Sequence, residues 1–386
     1  KKIQGEELSL DMSRGKPCTA QLDLANVMFD MVNANASFIT ENGMDVRNYG
    51  GLDGIPEMKK LFAALFDVNE KMVLVADGSS LNIMYNLVQQ AMQFGVGGGL
   101  PWNKLGKVKF ICLVPGYDRH FAITEQFGID MIAVPFKKDG GVDIDAIEGL
   151  VASDSSIKGI WCVPKYSNPT GVTYSDDVVT RLAKMDAAKD FRIFWDNAYA
   201  VHSIYGDDVL KNIFPECEKA GNPDRVYMFA STSKITFSGA GVATLISSEK
   251  NIEEYKSHLK YATIGPNKIV QLAHYRYLKS PENILKIMKA QADILRPKFD
   301  AVQNILDKTR RRLFRVAERQ SGQCEGSCRP FQKNGREVHR SRRNLSARYR
   351  LQRLQHSYCA VVSAHRRVAD RDAGVVSVSY THLTLP

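Results

Sequence analysis

One amine stands apart in "ASTSKITFSGAGVA", residues 230–243. It is Lys234, preceded by Ser231, Thr232 and Ser233 and followed by fifteen residues with no other cation. A lysine on a solvated face needs no such setting. A lysine that reacts with an aldehyde forms an imine, and small neighbours leave room for the aldehyde's carrier. Four further polar clusters accompany it: "DGSS" at 77–80, "PGYD" at 115–118, "KYSNPTG" at 165–171 and "WDNAY" at 195–199. Taken singly, each has a plain structural reading. Asp196 suits a turn, Asn168 the turn before Pro169, Ser79 an ordinary helix cap and Tyr117 a core position.

The elements that must position these clusters are legible between residues 70 and 250. Apolar runs such as "MVLVADG", "KVKFICLVP", "DMIAVPF", "IKGIWCVPKY", "FRIFWDNAY", "RVYMFAS" and "VATLISS" read as strands. Between them, "SSLNIMYNLVQQAMQF" and "SDDVVTRLAKMDAA" carry helical apolar spacing, with Ser at the N-cap of each. Alternation of this kind predicts a mostly parallel sheet covered by helices on both faces. Such sheets bind ligands beyond the carboxyl ends of their strands, where the five polar clusters fall. Residues 252–308 read as helices, with Pro297 expected to kink or split the longest. "GVGGG" at 95–99 lacks the Lys-Ser/Thr of a phosphate loop and reads as a turn.

Together, "SNPTG" at 167–171, "STSK" at 231–234 and "NYGGLDGIPEMKKLFA" at 48–63 resemble the class I aminotransferases, the fold-type I enzymes that use pyridoxal 5'-phosphate (PLP). "SRGKP" near the start and "SKITFSGAGVA" resemble a divergent bacterial subgroup of aspartate aminotransferases. The resemblance covers residues 10 to about 309. It implies the α/β fold of PLP-dependent transferases, with a small C-terminal α/β domain. The expected divisions are an N-terminal segment at 1–45, a large PLP-binding domain at 46–255, the start of a small domain at 256–309 and an atypical tail at 310–386.

The resemblance also implies roles. Lys234 would hold the cofactor as an imine and then act as base beside the substrate Cα. Asp196 would pair with the pyridine nitrogen, and Tyr199 and Asn168 would hydrogen-bond the phenolic oxygen. Gly78, Ser79 and Ser80, where a strand gives way to a helix, would hold the phosphate with Ser231 and Ser233. Tyr117 would stack on the ring. Tyr49 would reach the phosphate of a neighbouring subunit, implying a homodimer with shared sites. Arg14, with Gly15 beside it, is read as a second substrate carboxylate contact; an exposed N-terminal Arg is the alternative. Two departures stand out. No Arg lies about eight residues after Lys234, where the family clamps the phosphate. No tail Arg sits in a family motif for the substrate α-carboxylate.

The implied reaction is transamination of an amino acid, L-aspartate with 2-oxoglutarate on subgroup resemblance. A PLP-dependent lyase or decarboxylase would share the site. A regulatory or RNA-binding protein is a rival of another class. The chain has 386 residues, 44% of them hydrophobic, enough for a substantial core. Its net charge of +10 is unevenly placed. Residues 310–386 hold sixteen Arg and one Lys against five acids, leaving a net of −2 over residues 1–309. Basic charge therefore does not drive the function of the bulk. Two readings of the tail stand: a slipped reading frame near Thr309, with "SVSYTHLTLP" resembling translated adapter sequence, or a genuine basic tail able to bind RNA. Cys324, Cys328 and His339 lie there at poor zinc spacing, so no metal is expected. Seven scattered cysteines, no apolar run of membrane length and no hydrophobic leader point to the cytoplasm. The chain lacks a starting Met, as a fragment would.

Overall fold

The computed structural model describes residues 16–206 and 208–321. Arg14, Gly15, Cys324, Cys328, His339 and the Arg-rich tail beyond Ser321 lie outside the described residues. Seven strands form one sheet: β1 (Val73–Asp77), β2 (Lys109–Val114), β3 (Asp130–Pro135), β4 (Ile157–Cys162), β5 (Arg192–Asp196), β6 (Val226–Ser231) and β7 (Val242–Ile246). Their order is β1-β7-β6-β5-β4-β2-β3. Strands β2 to β6 pair in parallel, as the alternating sequence predicts. β7 instead runs antiparallel to both β6 and β1. The sheet is thus mostly parallel.

Successive strand residues point to opposite faces, and both faces are dry. Ile111, Leu113, Ile193 and Trp195 enter one core, with Leu61 of α2 (Pro56–Phe66), Ile147 of α5 (Ile144–Ser153), Val179 of α6 (Asp176–Lys184) and Phe214 of α7 (Ile213–Lys219). Phe110, Cys112 and Phe194 enter the other, with Leu87 of α3 (Ser80–Phe94), Ile123 of α4 (Asp118–Gln126) and Tyr255 of α8 (Glu249–Leu259). This two-faced burial explains why the strands read as continuous apolar runs. The free edge of β1 is covered. Val75 N donates to Asp53 O, and the buried Gln271 donates to Val75 O while accepting from Ile55 N.

The N-terminal segment contributes α1 (Thr19–Asp23). After β7 and α8 come α9 (Lys268–Leu278) and α10 (Pro281–Ser321). All the regular elements described beyond residue 256 are helices. α10 continues through Pro297, so the expected split does not occur. Its packing supplies the reason. Arg296 donates from Nε and Nη2 to Ile204 O at 3.1 and 3.0 Å, and Asp300 accepts from the Tyr205 hydroxyl at 2.7 Å. Residues on both sides of the proline are held to one loop, which offsets the single helical hydrogen bond that proline forfeits. Among the described residues, no helix is long and apolar enough to cross a membrane.

Candidate functional site

Five strands deliver side chains to one edge of the sheet. β5 ends at Asp196, which is buried and lies beside Phe229 of β6. Its Oδ2 lies 3.1 Å from His120 Nε2, and Oδ1 is buried without a partner. A buried carboxylate oxygen left unpaired is costly, so such an atom marks a place where a donor belongs. His120 stacks on Trp161 at 4.6 Å between centroids and meets the edge of Tyr117 at 5.1 Å.

The chain turns at Asn197 and carries Tyr199 back over the strand end. Its phenol hydrogen-bonds Asn168, and its pKa is pushed up by burial and by the nearby Asp196 charge. Asn168 comes from the loop after β4, where Ser167 N donates to Val172 O and Gly171 N to Ser167 O. Lys234 reaches the same point from the loop after β6, its Nζ 4.5 Å from the Tyr199 ring centroid. Burial lowers the Lys234 pKa, with Asp196 acting in the opposite sense. An amine in that state gives up its proton more readily than a surface lysine.

The Lys234 loop is tightly built. Thr232 N donates to Val242 O, and Thr232 Oγ1 accepts from Val242 N at 3.0 Å. Thr232 O accepts from Ile235 N and Thr236 N, closing one helical turn around the lysine. The turn lies against the end of β1, where Gly78 N donates to Gly241 O at 3.1 Å. Gly241 must be glycine for space. A Cβ there would sit 2.6 Å from Ser233 Oγ and 2.7 Å from Gly78 O. Ser233 Oγ is buried without a partner. Ser79 occupies the N-cap of α3, as the sequence predicts, yet its side chain makes no capping bond. Gly78 holds φ 68°, a left-handed conformation suited to glycine. The arrangement leaves hydroxyls and a helix N-terminus facing one another, a setting that favours an anion.

The structure thus brings Gly78, Ser79, Ser80, Ser231, Ser233, Lys234, Asp196, Tyr199, Asn168 and Tyr117 to the ends of β1, β2, β4, β5 and β6. Tyr49 stands apart, 82% exposed in a loop braced by Lys268 Nζ, which donates to Gly50 O. Two residues were missed by sequence reasoning. His120 lies one helical turn after Tyr117 and shares its face, a spacing that could have flagged it. His202, three residues after Tyr199, is buried with neither ring nitrogen partnered and meets the Tyr199 ring edge-on at 5.6 Å. Its pKa falls to about 3, through burial first and the Lys234 charge second.

The donors and acceptors fit a planar phosphorylated pyridine aldehyde. Asp196 Oδ1 can take a ring N–H, the Tyr199–Asn168 pair can face a phenolic oxygen, and Ser233 with the α3 N-terminus can take a phosphate. Lys234 supplies the amine. Among the described residues, no cluster of three His, Cys, Asp or Glu side chains could hold a metal ion.

Comparison with known proteins places the chain in a family. The family model described as aspartate amino-transferase matches residues 1–318. A Corynebacterium glutamicum protein named aspartate aminotransferase is 46% identical over 314 residues, covering 79% of this chain and 71% of that protein. The crystal structure of an aspartate transaminase from Corynebacterium glutamicum superimposes with a TM-score of 0.76 at 46% identity, covering 80% of this chain and 73% of that one. LysN, an α-aminoadipate aminotransferase from Thermus thermophilus solved with N-(5'-phosphopyridoxyl)-L-leucine, shares the fold. Its TM-score is 0.61 at 18% identity, over 80% of this chain and 76% of that one.

Proposed function

The chain belongs to the aspartate amino-transferase family, and on that premise we propose that it transaminates L-aspartate with 2-oxoglutarate as acceptor, using PLP held at Lys234. One observation carries the reading. A buried amine whose pKa burial lowers and a buried, unpartnered carboxylate oxygen occupy one site, with the Tyr199 ring against the amine. When bound, PLP supplies an aldehyde for the amine and a ring that withdraws electrons from the substrate Cα.

The residues of the chain do the rest. Asp196 keeps the proton on the ring nitrogen, and His120 holds that carboxylate in place through Oδ2. Tyr199 and Asn168 hold the ring's phenolic oxygen, and Tyr117 packs against the ring. The backbone at Gly78, Ser79 and Ser80, with the hydroxyls of Ser231 and Ser233, holds the phosphate. Lys234 Nζ, once free, takes the proton from the substrate Cα and passes it on; burial lowers its pKa, in the direction that eases this exchange. Arg14 and Gly15 are our candidates for a substrate carboxylate contact. The exposed Tyr49 supports a homodimer in which it reaches the phosphate of a second copy. The free thiols of Cys18, Cys112, Cys162 and Cys217 support a reducing, cytoplasmic setting.

The test is a visible absorbance spectrum of the purified chain with PLP, before and after L-aspartate. A Lys234-dependent band that shifts to the pyridoxamine form with aspartate supports cofactor and half-reaction together. A folded protein that shows no band would refute the reading. Amino-acid turnover that proceeds without a keto-acid acceptor would favour a lyase or decarboxylase.

A further inference from the structure

The carbonyl that follows Lys234 is held by a helix from far along the chain. Gln291 of α10 is 3% exposed, and its Nε2 donates to Ile235 O at 2.7 Å. Its Oε1 accepts from Gln21 Nε2 at 3.3 Å, and Gln21 Oε1 accepts from Cys18 N at 3.1 Å. Gln21 is 2% exposed. The chain of bonds has one possible sense. Ile235 O can only accept, so Gln291 must present its amide N–H there and its oxygen to Gln21. Cys18 N can only donate, so Gln21 must present its oxygen there and its nitrogen to Gln291. Both ends being backbone, neither side-chain amide can flip without leaving two buried groups unpaired.

We propose that Gln291 is a positioning residue for Lys234, fastening the backbone of the lysine turn and the N-terminal helix α1 to one point on α10. Ile235 O lies at the end of the single turn closed on Thr232 O, where no further helical N–H arrives, so Gln291 supplies what the turn itself lacks. The side-chain bond thereby sets where the amine stands relative to Asp196 and Tyr199. Because the same amide binds Gln21, 270 residues away in sequence, a displacement of α1 is felt at the lysine turn. The inference rests on the reading of Lys234 as the reactive amine.

Two variants of the full-length protein test it, Gln291→Leu and Gln21→Leu. Both keep side-chain volume close to that of the glutamine and remove its hydrogen bonds. Backbone hydrogen exchange reads the geometry without reference to activity. Gln291→Leu should speed exchange about tenfold in both 16–24 and 231–237, leaving the central strands unchanged. Gln21→Leu should speed exchange in 16–24 and, through the loosened Gln291, to a smaller extent in 231–237. A second readout is the pH dependence of PLP uptake, since only the neutral amine reacts. A lysine turn freed to reach water should move the uptake midpoint upward by about half a pH unit in Gln291→Leu. Exchange at 231–237 unchanged in a folded Gln291→Leu would overturn the proposal. If Gln291→Leu does not fold, a Gln21→Leu effect confined to 16–24, with an unmoved uptake midpoint, would overturn it instead. Failure of PLP to bind the unaltered protein would overturn the function while leaving the exchange result standing.

Discussion

His202 offers a quantitative test of how the lysine site is insulated from water. Its imidazole is 5% exposed, with neither nitrogen bonded, and its pKa stands at about 3 against an ordinary 6.5. The folded protein therefore refuses a proton that the unfolded chain accepts. Stability from this group is fully present above pH 6.5. It declines as pH falls below that value and stops declining only below about 3. At about pH 4.5 the unfolded chain has taken up the proton and the folded one has not, which costs about 3 kcal/mol. His202→Phe removes the titration. Its ring can keep the edge contact with Tyr199, and the backbone bond from residue 202 to Tyr199 O is unaffected. Urea unfolding followed by circular dichroism, at about pH 7 and again at about pH 4.5, gives the difference directly. The unaltered protein should lose about 3 kcal/mol more than His202→Phe between the two, a midpoint difference of roughly 1 M urea. Other acid-sensitive groups, His274 among them, fall equally on both proteins and cancel. Losses that agree to within about 0.5 kcal/mol would refute the argument that His202 is buried neutral beside a charged lysine.

Other expected outcomes follow from the same geometry. Lys234→Ala should abolish the imine absorbance and reduce transamination by about four orders of magnitude or more, read by single-turnover kinetics with L-aspartate; retained turnover would remove Lys234 from the chemistry. Gly241→Ala should destabilise the fold by about 1–3 kcal/mol, because its Cβ meets the Gly78 carbonyl at 2.7 Å, and should weaken PLP binding about tenfold in a fluorescence titration. His120→Phe leaves Asp196 Oδ2 without its hydrogen bond, and kcat should fall about ten- to hundredfold with KM changed less; an unchanged kcat would show that His120 does not support Asp196.

How much of this was legible depended on range. The strands of the sheet are short apolar runs, and burial on both faces makes such runs visible one at a time. The direction of β7 was not visible, because a strand buried on both faces reads the same whether its neighbour is parallel or antiparallel. The positions of Asp196, Tyr199, Asn168 and Lys234 beside one another could be anticipated because Asp196 closes β5 and the others sit in motifs just beyond the ends of β5, β4 and β6. The empty capping bond at Ser79 was not, since a serine before an apolar helix has the same sequence whether its hydroxyl faces the helix or a ligand. The split expected at Pro297 does not occur because proline's local cost is offset by Arg296 and Asp300, whose partners lie more than ninety residues away. The Gln21–Gln291–Ile235 chain has no local signature at all, being three residues that meet only when the fold is complete.

The placement of β1 also has a consequence for the order in which the molecule is made. β4, β5 and β6 lie side by side in sequence order, so each can pair as soon as the next has been synthesised. β1 cannot. Its ladder partner, β7, arrives about 170 residues later, and the Thr244 hydroxyl that bonds Leu74 O arrives with it. Closing so long a span carries an entropic cost that nearer pairings do not, and contacts of this kind slow folding. Until β7 docks, the nascent chain carries an open strand edge, a hazard for association with other chains. The Gly78–Gly241 contact forms only at that point, so the phosphate end of the site is assembled after the strands that carry Asn168 and Asp196. Capture of the cofactor is thereby a late event in the maturation of the chain.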